Sequence, residues 1–145
     1  MPTFLDNDDI RRYLVAIGLL DAAGGFKYSS VIVKTADYTI VTGTDPSGSL
    51  FTNRGDAGAI VFTLPAPSQA IKGTFYDFLN VVDQNMTVAT PTSDTLLTLH
   101  DIAADSIALS TSSQKIGGCM RFICDGTQWC GFGMSVGHTF TVVTA

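Results

Sequence analysis

The chain has 145 residues, which is enough for a single domain with a buried core. Only 14% of the residues are charged and the net charge is −5, so the chain lacks the basic stripe that binding to nucleic acid requires. No apolar run approaches the roughly 18 residues that cross a bilayer, and the N-terminus lacks the basic and apolar regions of a signal peptide, so we expect a protein made in the cytoplasm with no membrane partner.

The first 25 residues predict an N-terminal helical arm. Asp6 is a good N-cap, and the two Asp residues that follow place negative charge in the first turn, where the helix dipole favours it. An apolar stripe with the helical period continues past Gly18 to residue 20, and Gly24-Gly25 predicts the end of the helix. An isolated helix of this length is marginal in water, so we expect it to pack on its own β domain, on another subunit or on a partner, and the hinge at Gly24-Gly25 favours the last two. The residues expected to make that contact are Phe4, Leu5, Ile10, Tyr13, Leu14 and Ile17.

From Phe26 onward the apolar period changes from helical to two. Short apolar segments alternate with turns rich in Gly, Pro, Asp and Asn, a pattern typical of an antiparallel sandwich or barrel. We therefore expect a helical arm over 1–25 and a mainly β domain over 26–145. The predicted strands are 28–34, 38–41, 50–53, 59–64, 74–80, 86–90, 95–99, 106–110, 118–124, 128–134 and 139–143.

The segment "FTNRGDAGAIVFTLP" contains Arg54-Gly55-Asp56, the integrin-recognition triplet of animal adhesion proteins. The triplet lies between the predicted strands 50–53 and 59–64, so we expect it at a hairpin tip, where glycine supplies positive φ. Exposed tips are also where adhesion loops lie, so the position alone does not decide between a turn and an adhesion signal.

The residue types that carry catalytic or metal chemistry do not converge in the sequence. His100-Asp101 and His138 are not linked by any motif, and a working site needs several converging groups. We expect these residues to lie at strand ends or in loops. The sequence therefore predicts no enzyme activity, no cofactor and no metal.

The cysteines and the single tryptophan each allow two interpretations. Cys119, Cys124 and Cys130 lack CxxC spacing and are expected to be small apolar strand residues, although a disulfide between the last two, which flank a turn, stays open. Trp129 and Phe132 predict either a platform on which a sugar could stack or, as the favoured interpretation, a core tryptophan beside a turn.

Two stretches resemble a module of tailed-bacteriophage virion proteins, "YTIVTGTDPSGSLFTNRGDAGAIVFTLPAP" and "SIALSTSSQKIGGCMRFICDGTQWCGFG". The shared pattern is a strand, an Asp/Ser/Gly turn, a short strand ending in Asn, a Gly-containing tip and an apolar strand ending in Leu-Pro. An Asp-Gly-Thr turn and a Trp follow farther on. The resemblance covers roughly residues 34–134.

The resemblance implies an antiparallel β-sandwich with a jelly-roll-like (β-tulip) strand order, assembled as a homotrimer. It also implies a structural virion protein at the capsid surface, a decoration (cement) protein whose partner is the major capsid protein. The alternative it implies is a tail-fibre or head-fibre component that binds a glycan of the host surface. A phage protein meets no integrin, so Arg54-Gly55-Asp56 is expected to serve turn geometry alone.

Overall fold

The computed structural model describes residues 6–16, 18, 20–21, 23 and 25–144. Within this range the fold is mainly β, with two mixed sheets and one N-terminal α-helix, and it contains no helix that is long and apolar enough to cross a membrane. The elements are α1 (Asn7–Ala16), β1 (Ser30–Val33), β2 (Tyr38–Thr39), β3 (Ser49–Thr52), β4 (Ile60–Thr63), a 3-10 helix (Gln69–Ile71), β5 (Phe75–Leu79), β6 (Met86–Ala89), β7 (Leu96–Thr98), β8 (Asp101–Ala104), β9 (Ser106–Leu109), β10 (Cys119–Cys124), β11 (Trp129–Gly133) and β12 (Thr141–Val143).

Helix α1 begins at the predicted cap and ends earlier than predicted. The Asp6 carboxylate accepts a hydrogen bond of 2.8 Å from the amide of Asp9, which confirms the N-cap. The helix ends at Ala16, and Gly18 takes a left-handed conformation with φ of 82° while its amide bonds to the Val15 carbonyl. The expectation that Gly18 lies inside the helix is therefore wrong, because glycine tolerates the positive φ of the turn that ends it.

Successive strands from β1 to β6 alternate between the two sheets. The seven-stranded sheet has the order β1-β3-β5-β10-β11-β7-β8, and the five-stranded sheet has the order β12-β9-β6-β4-β2. After each of these strands the chain crosses to the other sheet and then returns. As a result β1, β3 and β5 pair in parallel with one another, as do β2, β4 and β6. The predicted antiparallel arrangement therefore holds for five of the ten strand pairs among the described residues and is wrong for the other five, so both sheets are mixed. Period-two alternation and turn residues predict where strands lie, and they do not determine whether a connection returns beside its strand or crosses to another sheet.

The Arg54-Gly55-Asp56 triplet lies in one of these crossing connections. It joins β3 in the seven-stranded sheet to β4 in the five-stranded sheet, so the predicted hairpin tip is wrong. The local turn is nevertheless present, since Gly55 has a φ of 84° and the Asp56 carboxylate accepts a bond of 3.1 Å from the Gly58 amide. The triplet thus forms a turn that the backbone requires.

Every predicted strand segment overlaps an observed strand, and β8 is an addition. β8 pairs with β7 through a two-residue turn made by Leu99 and His100, whose φ values of 40° and 73° are both positive. Such turns usually contain Asn-Gly, because few other residues tolerate positive φ. The Leu-His pair therefore gives no hairpin signal in the sequence.

The two sheets pack face to face over one core. Phe51 of β3 stacks on Phe78 of β5 with ring centroids 5.4 Å apart, and Phe62 of β4 contacts both rings from the opposite sheet at 5.6 and 5.2 Å. Trp129 of β11 is fully buried, and its indole N–H donates to the Pro65 carbonyl at 2.8 Å. Burial of one such side chain contributes roughly 1.5–3 kcal/mol. The favoured interpretation of Trp129 as a core residue is confirmed.

A buried pair of asparagines holds β3 and β5 in register. Asn53 follows β3, Asn80 follows β5 27 positions later, and the Asn53 side-chain amide donates to the Asn80 side-chain oxygen at 2.7 Å. The Asn53 oxygen also accepts a bond of 2.9 Å from the Val81 amide, and the Asn80 amide donates to the Gln84 carbonyl at 2.9 Å. Because a buried amide without a partner is costly, these bonds favour this register over a shifted one.

Candidate functional site

The face of the seven-stranded sheet that points away from the core is the main candidate site. Side chains alternate between the two faces of a strand, so the register of the sheet identifies the residues that share this outward face. We call it the outer face, and it comprises Val31, Val33, Leu50, Thr52, Phe75, Asp77, Leu79, Leu97, Cys119, Arg121, Ile123, Cys130 and Phe132.

The outer face is apolar and still open to solvent. Val31 is 61% exposed, Val33 49% and Phe132 43%, and the side chains of Leu97 and Ile123 are also more than a third exposed. A sheet face that meets water normally carries polar residues, whereas strands that are apolar on both sides are typical of sheets covered on both sides. The composition of this face therefore matches that of a covered sheet face.

The five-stranded sheet provides an internal comparison. Its outward positions alternate with buried residues such as Phe62 and Val88, and they carry mostly small or hydroxylated side chains. These outward positions are Thr39, Val61, Thr63, Thr87, Ala89, Ser106, Ala108, Thr141 and Val143. The two sides of the same molecule thus differ in chemistry, and the large apolar residues are concentrated on the outer face of the seven-stranded sheet.

A single ion pair lies at the centre of the outer face. The Nε and Nη2 atoms of Arg121 donate to the two oxygens of Asp77, both at 2.7 Å, and the Tyr28 hydroxyl donates to Asp77 Oδ2 at 2.7 Å. The Asp77 side chain is fully buried and that of Arg121 is 33% exposed. This two-pronged geometry is the strong form of the arginine–carboxylate contact, and it neutralises the pair within the subunit.

The three groups around Asp77 are held in unreactive forms at neutral pH. Burial, and then the hydrogen bond to Asp77, raises the pKa of Tyr28 to about 12. The hydrogen bond to Asp77 raises the pKa of Arg121, and burial followed by the negative charge of Asp77 raises the pKa of the Cys119 thiol. A neutral phenol, a guanidinium and a neutral thiol supply neither a general base nor a nucleophile. The cluster is therefore suited to structural support.

The sheet faces on which Cys124 and Cys130 lie decide whether these two residues can form a disulfide. Cys124 pairs with Trp129 and points into the core, whereas Cys130 pairs with Ile123 and points outward. The two thiols lie on opposite sides of the sheet, and all three cysteines are free. The disulfide that the sequence left open does not form.

The residues considered for catalysis or sugar stacking lie apart. His138 Nε2 is 3.0 Å from the Ile116 carbonyl oxygen, and Asp101 accepts bonds from the Ala103 amide and the Thr144 hydroxyl. Phe132 points outward while Trp129 points into the core, so the alternative interpretation of this pair, a stacking platform, is excluded. Across the residues that the structure describes, no group of three or more His, Cys, Asp or Glu side chains could hold a metal.

The predicted contact residues of the arm are placed only in part. Ile10 is 43% exposed, Tyr13 is 61% exposed, and Leu14 on the same helix is half-buried. Phe4, Leu5 and Ile17 lie outside the described residues. No described residue of α1 is fully buried, so Ile10, Tyr13 and Leu14 stay available for contact.

Two comparisons of the sequence with known proteins find no relative. No family model matches the chain, and no curated protein matches it in sequence. The geometry of the described residues is therefore what bears on function. They offer a broad apolar face with an internally neutralised ion pair, which can bind by burying area.

Proposed function

We propose that the protein is a structural virion protein that decorates and stabilises a tailed-bacteriophage capsid as a homotrimer. Its place would be the capsid surface, with the major capsid protein as its partner. The observation that carries this proposal is the apolar outer face, because a contiguous exposed apolar patch on a small protein is typical of an interaction surface.

The electrostatics of the outer face suit contact between identical copies. Three copies of one face can meet round a threefold axis, and each would then bring the same charges to the contact. An unpaired charge at the centre would repel its symmetry mates, whereas Asp77 and Arg121 neutralise each other within one subunit. Asp77 is already fully buried, so covering the face adds desolvation cost mainly at the exposed third of Arg121.

Helix α1 supplies a second apolar surface, which we assign to the shell. The described helix presents Ile10 and, beside it, Tyr13, and both side chains are exposed. A subunit with one surface for its neighbours and another for the shell can bridge capsomers. The mechanism would be mechanical, since buried area at both contacts resists the separation of capsomers under internal pressure.

The finer fold assignment belongs to the same proposal. Two sheets that share one aromatic core support a β-sandwich, and the contacts of Phe62 with Phe51 and Phe78 join the layers. The jelly-roll-like, β-tulip strand order remains a prediction, with mixed rather than antiparallel sheets.

Light scattering of two matched lysine variants tests the assembly surface. Phe132→Lys places a charge on the outer face, and Thr87→Lys places the same charge on the outward side of the five-stranded sheet. We expect wild type and Thr87→Lys at about three times the 15.3 kDa chain mass, and Phe132→Lys as a monomer, since a charge at a packed interface costs about 2 kcal/mol or more. A monomeric wild type at micromolar concentration, or a Phe132→Lys trimer as stable as wild type, would contradict the proposal.

A further inference from the structure

A pocket of about 420 Å³ lies at one end of the outer face, beneath the segment Phe26–Ser29. Its volume falls within the roughly 300–1,000 Å³ typical of small-molecule sites. The lining residues come from this segment, from the turn before β3, and from β5 and β10. Phe75 and Arg121 belong to the outer face, whereas the other six lining residues lie outside it.

The pocket is built by specific contacts. The Ser29 amide donates to the Gly48 carbonyl at 2.9 Å, and the Tyr28 hydroxyl is fixed by its bond to Asp77. Gly48 has a φ of 80°, and a Cβ atom at this position would lie 2.9 Å from Ser29 Oγ and 3.3 Å from the tip of the Phe75 ring. A side chain at residue 48 would therefore strain the backbone and crowd the pocket floor.

The walls combine aromatic rings with polar groups. Phe26 is 84% exposed, Tyr28 presents a ring whose hydroxyl is already held, and the Arg121 guanidinium lies 5.0 Å from the centre of the Phe75 ring. Ser47 also lines the pocket, and its hydroxyl accepts a bond from the Phe75 amide while keeping its own proton free to donate. Tyr28, Ser47 and Arg121 are already held by partners, so a ligand would order few of these side chains on binding.

The charge of the pocket is positive. Asp77 is fully buried and its oxygens are occupied by Arg121 and Tyr28, so no free carboxylate reaches the lining. Lys27 lines the pocket and makes no salt bridge with any residue that the structure describes. A ligand that suits these walls has an apolar ring face, hydroxyl groups and one negative charge.

We propose that this pocket binds an acidic saccharide. The apolar C–H face of the sugar ring would pack on the Phe26 ring and gain dispersion contacts with it. The carboxylate would face Lys27, and sugar hydroxyls would bond Ser47. The chain has a net charge of −5, which disfavours a polyanion at long range, whereas one carboxylate needs only the local cation.

The test measures binding of D-glucuronate and its neutral counterpart D-glucose by saturation-transfer NMR and calorimetry on the full chain. We expect glucuronate to bind about tenfold more tightly than glucose. Phe26→Ala should weaken both sugars about tenfold, and Lys27→Gln should weaken glucuronate alone. The matched controls are Tyr13→Ala, an exposed aromatic residue on α1, and Lys72→Gln, an exposed lysine outside the pocket.

Three results would overturn the saccharide assignment. The first is no transfer of saturation to glucuronate in the millimolar range. The second is an equal loss of binding in the control variants. The third is tighter binding of benzoate than of glucuronate, which would indicate a site for aromatic acids. The oligomeric state is measured separately, so failure of this site leaves the assembly proposal standing, and the reverse also holds.

Discussion

The ion pair beneath Tyr28 allows a sharp prediction about stability. Arg121→Met removes the guanidinium but keeps most of the apolar stem, and it leaves the fully buried Asp77 carboxylate with only Tyr28 as a partner. Breaking a fully buried pair in this way costs about 3–5 kcal/mol. Arg121 is 33% exposed, so solvent screens part of the contact and we expect about 2–3 kcal/mol. For a chain of this size the melting temperature should fall by about 5–10 °C.

Lys115→Met is the matched control for this experiment. It breaks a looser salt bridge, in which Lys115 Nζ lies 3.8 Å from an Asp83 carboxylate that is 67% exposed, and it should cost less than about 1 kcal/mol. Urea unfolding at pH 7 and one fixed protein concentration measures both variants, since the stability of an oligomer depends on concentration. The double variant Asp77→Leu/Arg121→Met should recover most of the lost stability. An Arg121→Met variant no less stable than Lys115→Met would refute the reasoning.

Three further predictions concern the triplet, the arm and alkaline pH. Asp56→Ala should lower the free energy of unfolding by about 0.5–1 kcal/mol, because the bond from the Gly58 amide is lost, and it should leave assembly unchanged. A tenfold loss of binding to any partner in pull-down or light-scattering titrations would contradict the turn interpretation. Deletion of residues 1–24 should leave a folded β domain by circular dichroism but abolish pelleting with undecorated capsids, and pelleting equal to that of the full chain would exclude the arm as the anchor. The pKa of Tyr28 is raised to about 12, so its stabilising bond to Asp77 should be intact below about pH 10 and lost as the pH rises through 12. The free energy of unfolding should therefore depend less on pH over this range for Tyr28→Phe than for wild type, and identical pH dependences would contradict the prediction.

The sequence predicted the local structure well because local rules decide it. The cap at Asp6 and the positions of the strands follow from capping chemistry and from alternation, which act within a few residues. The parallel pairings depend on where each connection leads, and no local rule gives that. One signal was available, since Phe51-Thr52-Asn53 returns 27 positions later as Phe78-Leu79-Asn80, and the register pairs these segments directly.

The candidate site was harder to predict than the strands. Asp77 and Arg121 are 44 positions apart, and only the pairing of β5 with β10 brings them together. The sequence does carry one signal of the outer face, in the strands "CMRFIC" and "WCGFG". Residues on both faces of these strands are mostly apolar, as in strands covered on both sides. The pocket depends on the segment Phe26–Ser29 folding back over the sheet, and the sequence carries no periodic signal for it.

The copy number on purified phage heads tests the decoration proposal most directly. Quantitative mass spectrometry of heads, with the major capsid protein as the internal reference, gives the number of chains per particle. A homotrimeric cement protein should be present in many copies, at a fixed ratio to the major capsid protein. Absence from the heads, or a few copies per particle as for a fibre at a single vertex, would contradict a role in stabilising the shell.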